Sequence, residues 1–170
     1  MKNLRLLFVV FLVAWTILLS GCTRNVKPEF TSYPLLYCGW LDLRESEYKK
    51  VGYKSRAEWK IIIERINIYF LQKYIADYCS TFKVTGATSK ACIPPANSYF
   101  IKFNVIEFDP AGTSMAVGIK IIDTDTGKVV SSFTSRPSGI QSFASTVFMG
   151  RISHLCMGIA EDISNNIYKK

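Results

Sequence analysis

From Tyr99 to Ser135 apolar and polar side chains alternate with a period of two, the pattern of extended strands with one buried face. Tyr99, Ile101, Phe103 and Val105 fall on one side, Lys102 and Asn104 on the other. Met115, Val117, Ile119 and Ile121 repeat the alternation, Asp123 to Lys128 supplies a turn, and Val129, Ser131 and Phe133 return in phase. Three consecutive antiparallel strands are predicted, and their apolar face requires a cover. Two segments have helical period. Ser55 and Glu58 have the spacing of a capping box. After them Trp59, Ile62, Ile63, Ile66 and Phe70 share one face of a helix that runs to about Tyr78. Ile61, Ile68, Leu71 and Ile75 gather on the opposite face, so this helix is either sandwiched or offers a docking surface. Near the C-terminus Phe148, Ile152, Leu155, Cys156, Ile159, Ile163 and Ile167 form one stripe, predicting a helix from Ser145 to Tyr168. Leu35 to Leu43, following Tyr33-Pro34, reads as a short buried strand. Ser80 to Asn97, with Gly86, Pro94 and Pro95, reads as a loop with room for a short strand around Phe82 to Val84. The order implies an α+β fold: a two-layer sandwich, β-α-β-β-β-α, with a mostly antiparallel four-stranded sheet and two helices on one face.

The N-terminus has a different character. Lys2 and Arg5 precede an almost wholly apolar run, Leu6 to Leu19, and Ser20-Gly21 lead into Cys22. This is the layout of a secretory signal peptide, and the run is shorter than the ~20 residues that span a bilayer comfortably. Leu19-Ser20-Gly21-Cys22 resembles the lipobox of bacterial lipoproteins. The resemblance implies that residues 1–21 are removed and that Cys22 is acylated as the new N-terminus. Residues 22–32, polar and holding Pro28, would form a lipidated tether, and residues 33–170 a single periplasmic domain. By likeness to Gram-negative lipoproteins, Thr23 rather than Asp after the cysteine implies sorting to the outer membrane, facing the periplasm. Removing residues 1–21, which hold Lys2 and Arg5, takes the chain from 170 to 149 residues and the formal charge from +8 to +6. A hydrophobic content of 49% with 14% aromatics excludes a disordered chain.

Beyond Cys22 there are Cys38, Cys79, Cys92 and Cys156, an even set in an oxidising compartment. Four cysteines allow three connectivities. Cys79 and Cys92, at a helix end and in the loop after it, close the shortest ring, leaving Cys38 to pair with Cys156; Cys38 and Cys156 read equally as two small buried hydrophobes. No Cys-x-x-Cys occurs, which argues against a thiol oxidoreductase.

Catalytic chemistry has little to work with. His154 is the single imidazole and sits on the polar side of the last helix, with no nucleophile motif nearby. Asp123, Asp125 and Gly127 resemble the opening of a calcium loop, but the glycine falls at the fifth position and no bidentate Glu follows; a hairpin turn accounts for them. No phosphate loop, metal set or cofactor motif is present, and no cofactor is expected. The cations scatter along the chain with no basic helix, so nucleic acid is not an expected partner. Anionic headgroups or cell-wall polymers are a better match for the positive charge.

The segment Ile119-Lys-Ile-Ile-Asp-Thr-Asp-Thr-Gly127-Lys-Val-Val-Ser-Ser-Phe133, followed by small residues and a long helix, resembles the periplasmic core of the curli-secretion-channel lipoproteins and related small envelope lipoproteins. The likeness covers residues 98–168. It implies an α+β module that docks with envelope machinery and is not an enzyme; the long hairpins with which the channel-forming relative builds its pore have no counterpart here. Two functions follow. The first is a non-catalytic, membrane-anchored lipoprotein that docks with another envelope protein, through a sheet edge or through Ile61, Ile68, Leu71 and Ile75. The second is a small-ligand or cell-wall-binding module with Tyr37, Trp40, Tyr99 and Phe100 around a groove on the sheet.

Overall fold

Strands β1 (Leu35–Cys38), β2 (Lys83–Gly86), β3 (Tyr99–Phe108), β4 (Met115–Asp123) and β5 (Val129–Ser135) form one sheet in the order β2-β1-β3-β4-β5. The structure, a computed structural model, describes residues 24–44, 49, 52, 55–109, 111–137 and 148–169. The expected signal peptide, Cys22 and the expected helix start at Ser145 lie outside the described residues.

The alternating segments become β3, β4 and β5, antiparallel to one another, with Ile101 opposite Ile121 and Ile119 opposite Phe133. Tyr99, Ile101, Val117, Ile119 and Ile121 are fully buried, as the alternation requires. β5 keeps its predicted phase at Ser131 and Phe133, opposite Ile121 and Ile119, and departs from it only at Val129. A bulge between Ile121 and Ile122 sets Val129 opposite Ile122, so Val129 is exposed while its neighbour Val130 packs against the core.

Two expectations about the sheet are corrected. It has five strands rather than four, and it is mixed rather than mostly antiparallel: β1 runs parallel to both β2 and β3. Lys83–Gly86 joins as an edge strand, and its four residues, none of them buried, carry no alternation of apolar and polar types to read. β1 is also shorter than Leu35–Leu43. At Gly39 the chain lies against β3, its N–H donating to the Ile101 carbonyl at 2.8 Å. A Cβ there would stand 2.6 Å from that oxygen, so only glycine fits. Leu41 then finds a side chain, not a strand, as its hydrogen-bonding neighbour.

That side chain is Asn67, in the long helix. α1 (Arg56–Arg65), a π-helical stretch (Ile66–Gln72) and α2 (Lys73–Tyr78) follow one another without a break. The Ser55 Oγ accepts the Glu58 N–H at 3.2 Å, the N-cap its spacing predicts. Asn67 is fully buried; its Oδ1 accepts the Leu41 N–H at 2.7 Å, and its Nδ2 donates to the carbonyls of Leu41 (3.0 Å) and Ile63 (2.9 Å). The wider π turn takes in one residue more than an α turn, which turns the downstream residues by about one position. Trp59, Ile63 and Ile66 of the expected face are buried and Ile62 and Phe70 only half-buried, while the buried row continues through Asn67, Leu71, Ile75 and Cys79.

This shift overturns most of the expected second apolar face. Leu71 and Ile75 are completely buried in the core, Ile68 is half-buried, and only Ile61 is exposed. α3 (Phe148–Ile167) buries the stripe read from its sequence, from Ile152 to Ile167. Both helical regions share one core cluster with the Tyr99 and Ile101 side of the sheet. They run in the same direction. The Trp59 and Phe148 rings meet at 5.9 Å at one end, and the Ser164 hydroxyl donates to the Tyr78 carbonyl at the other.

The expected tether is part of the domain from Arg24 onward. Val26 bridges Tyr168, Lys27 N–H donates to the Ile167 carbonyl at 2.9 Å, and Lys169 N–H to the Asn25 carbonyl at 2.8 Å. Phe30, in a 3₁₀ turn (Pro28–Phe30), is buried against the Tyr99 ring. The carbonyls left free at the end of α3 find their donors in this segment, which is why a polar stretch with no helical or strand period is ordered.

Candidate functional site: the open face of the sheet

The helices cover one side of the sheet; the polar positions of β3, β4 and β5 line the other. Register sets Lys102 opposite Lys120 and Lys120 opposite Ser132 in one row, with Asn104, Gly118 and Thr134 in the next. A hollow of about 540 Å³ lies over these two rows. A second, of about 350 Å³, adjoins it through Lys102 and Asn104 and is walled by Trp40, Phe100 and Arg44. Together they make one trough with aromatic residues at one end and hydroxyls at the other.

Gly118 shapes the floor by omission. A Cβ there would meet neighbours at an ordinary 3.6 Å, so no close approach demands glycine, and the missing side chain leaves the row between Asn104 and Thr134 open. Lys102 and Lys120 dominate the electrostatics. Cross-strand neighbours have Cβ atoms about 5 Å apart, and like charges in that position destabilise a sheet. Both lysines are exposed, and neither has an acidic partner among the described residues. Asp42, an acid lining the trough, is already paired with Lys90.

The aromatic expectation divides. Trp40 and Phe100 line the trough, and Tyr37 lies beside Phe100 with ring centres 6.1 Å apart. Tyr99 is not in the groove. It points the other way and is fully buried among Phe30, Tyr33 and Phe82, its hydroxyl donating to the Glu29 carbonyl and accepting the Ser32 N–H.

Cys38, Cys79, Cys92 and Cys156 are all free thiols, so neither expected bridge is present. Cys79 is buried in the core, while Cys92, after β2, is half-buried and lines the trough. Cys38 and Cys156 are both fully buried in the shared core, the hydrophobe reading. Burial pushes the Cys79 and Cys156 thiols up to about 12 and raises Cys38 as well, where Cys156, Cys92 and Cys79 add smaller contributions. These are unreactive sulfurs.

His154 is half-buried on α3. Among the described residues no group of three or more His, Cys, Asp or Glu is placed to hold a metal ion. Asp123 behaves as a turn residue: its Oδ1 accepts the N–H groups of Asp125 (3.0 Å) and Thr126 (2.9 Å), and Gly127 takes a φ of +70°. The Thr126 N–H in particular holds the Asp123 carboxyl below its usual range. Tyr33 stands beside this turn, and hydrogen bonding to Asp125, followed by burial, lifts its phenol to about 12. No described helix is long and apolar enough to cross a membrane.

Sequence reasoning placed Lys102 and Asn104 on the outward face but did not pair Lys102 with Lys120. The signal was present in the matched phase of two neighbouring strands; only the register makes them neighbours. Comparison with known proteins finds no family model, no characterised protein and no solved structure that matches this chain.

Proposed function

We propose that the chain is a non-catalytic lipoprotein of the bacterial outer membrane, anchored through acylated Cys22 and facing the periplasm, whose open sheet face binds an acidic saccharide of the cell wall. The observation that carries this reading is the row of Lys102 and Lys120, without an acidic partner among the described residues, beside the Trp40 and Phe100 walls. A carboxylate seated between the two ammonium groups relieves their repulsion and gains charge-assisted hydrogen bonds. Trp40 and Phe100 offer apolar surface to a sugar ring, and Asn104, Ser132 and Thr134 offer polar groups to its hydroxyls. The lipobox supports the location, and the likeness of the Ile119–Phe133 hairpin to envelope lipoproteins supports the setting.

The test is calorimetric titration with soluble wall fragments released by a muramidase. Lys102→Gln and Lys120→Gln should each weaken binding about tenfold, the loss expected for one charge-assisted contact, and added salt should weaken the wild type. Absence of binding at millimolar fragment, or equal binding by the double variant, would remove the proposal.

A second reading, docking with an envelope protein, keeps one supporting observation. β5 is an edge strand, and pairing along it would not need the apolar helix face that burial of Leu71 and Ile75 removes.

A further inference from the structure

A lipoprotein domain on a long flexible tether can adopt any orientation to its membrane. This one has almost no tether. Arg24 donates to the Ser164 hydroxyl at 2.9 Å and lies over the Tyr168 ring at 6.0 Å; Lys27 donates through its N–H to the Ile167 carbonyl and through Nζ to the Asn166 carbonyl at 2.6 Å. Tyr168 is itself buried, and its hydroxyl is bonded to that of Thr81 at 2.6 Å. The first described residues are thus stitched to the C-terminal end of α3. Cys22 lies two residues before Arg24, a reach of at most about 7 Å.

We infer that the domain sits directly on the bilayer, with the C-terminal ends of α2 and α3 at the level of the phospholipid headgroups. The inference rests on acylation of Cys22, as proposed above. Acyl chains at Cys22 must enter the membrane within that short reach, which brings the seam formed by residues 24–27 and the end of α3 down with them. Charge suits the contact: Arg24, Lys27 and Lys169 lie along the seam that follows Cys22 in the chain, where anionic headgroups attract them. They also face the negative end of the α3 dipole, so the same cations complement both the helix and the lipid. α3, at 20 residues, is about 30 Å long, so its Phe148 end and the neighbouring Trp59 stand well away from the anchor. Tyr99 and the Asp123 turn lie at the anchored end, since Tyr99 bonds to Glu29 and Tyr33 to Asp123. The trough, midway along β3 and β4, then opens sideways into the periplasm and stays accessible.

Photo-crosslinking of the full lipidated chain in vesicles of phosphatidylethanolamine and phosphatidylglycerol tests this. A photoreactive side chain is placed at Asn25 or Lys169 near the anchor, or at Ile61 or Ile106 away from it; all four positions are exposed. Lipid adducts should be at least tenfold more abundant at the first pair. Inserting twelve Gly and Ser residues between Thr23 and Arg24, which adds a reach of about 20 Å, should erase that difference. Equal adducts at both ends of the unmodified chain, or an unchanged pattern after insertion, would overturn the seating. The intact mass of the same preparation separates the two levels. Absence of acyl groups on Cys22 removes the anchoring reading itself, whereas an acylated chain without end preference removes only the seating.

Discussion

Asn67 satisfies both backbone groups of Leu41 where no strand reaches them. Asn67→Ala leaves a buried N–H and a buried carbonyl unpaired, at about 1–3 kcal/mol each. Urea unfolding should therefore show a loss of about 2–4 kcal/mol; a loss under 1 kcal/mol would mean that water replaces the amide. Lys102 and Lys120 predict the opposite sign. Because they repel one another across two strands, Lys120→Gln should stabilise the unliganded protein by about 0.2–1 kcal/mol while it weakens ligand binding. A residue whose loss helps the fold and harms binding is kept for binding, and a variant that loses stability would argue against an unpaired cation row.

The elements differ in how much of them the sequence displays. β3 and β4 are legible because Tyr99, Ile101, Phe103, Val117, Ile119 and Ile121 are buried while Lys102, Asn104 and Lys120 between them are exposed, so alternation and burial coincide over the middle of both strands. β2 is legible only in part: a short strand is expected around Phe82 to Val84, but its extent to Gly86 and its parallel place at the sheet edge are set by a crossover that no local pattern shows. The π turn hides for another reason: a fixed 3.6-residue period applied through Ile66–Gln72 assigns Leu71 and Ile75 to the wrong side. Two clues were available, a polar Asn67 inside an apolar row and a helix whose pattern is apolar on two faces. Gly39 marks the end of β1, and Gly39→Ala should cost about 1–3 kcal/mol in a denaturant titration through its clash with the Ile101 carbonyl. The buried thiols make a prediction for the core elements that carry them. Their folded values lie above the ordinary one, so the folded state stays protonated while unfolded thiols ionise. Stability is then full below the unfolded value near pH 9 and falls as pH rises toward 12. At pH 10 the loss should be roughly 1–2 kcal/mol per thiol, read from urea midpoints at pH 7.5 and 10; equal midpoints would mean that the sulfurs are exposed or bridged.

At the scale of the whole molecule, the proposal assigns attachment to one end and recognition to one face. The N-terminal segment closes the ends of the helices, the helices cover one side of the sheet, and the other side is left polar, cationic and partly aromatic. This division was only half legible. The resemblance to a lipobox suggests the proposed attachment point, but that the chain is already ordered at Arg24 depends on the free carbonyls at the end of α3, which no local pattern reveals. The trough likewise depends on register across three strands. Both functional readings assume export and acylation, and the intact mass of the protein isolated from its own membranes tests that assumption most directly. The expected species is a chain that begins at Cys22 and carries the added mass of three fatty acyl groups. A chain that begins at Met1, or one whose Cys22 carries no lipid, would contradict it.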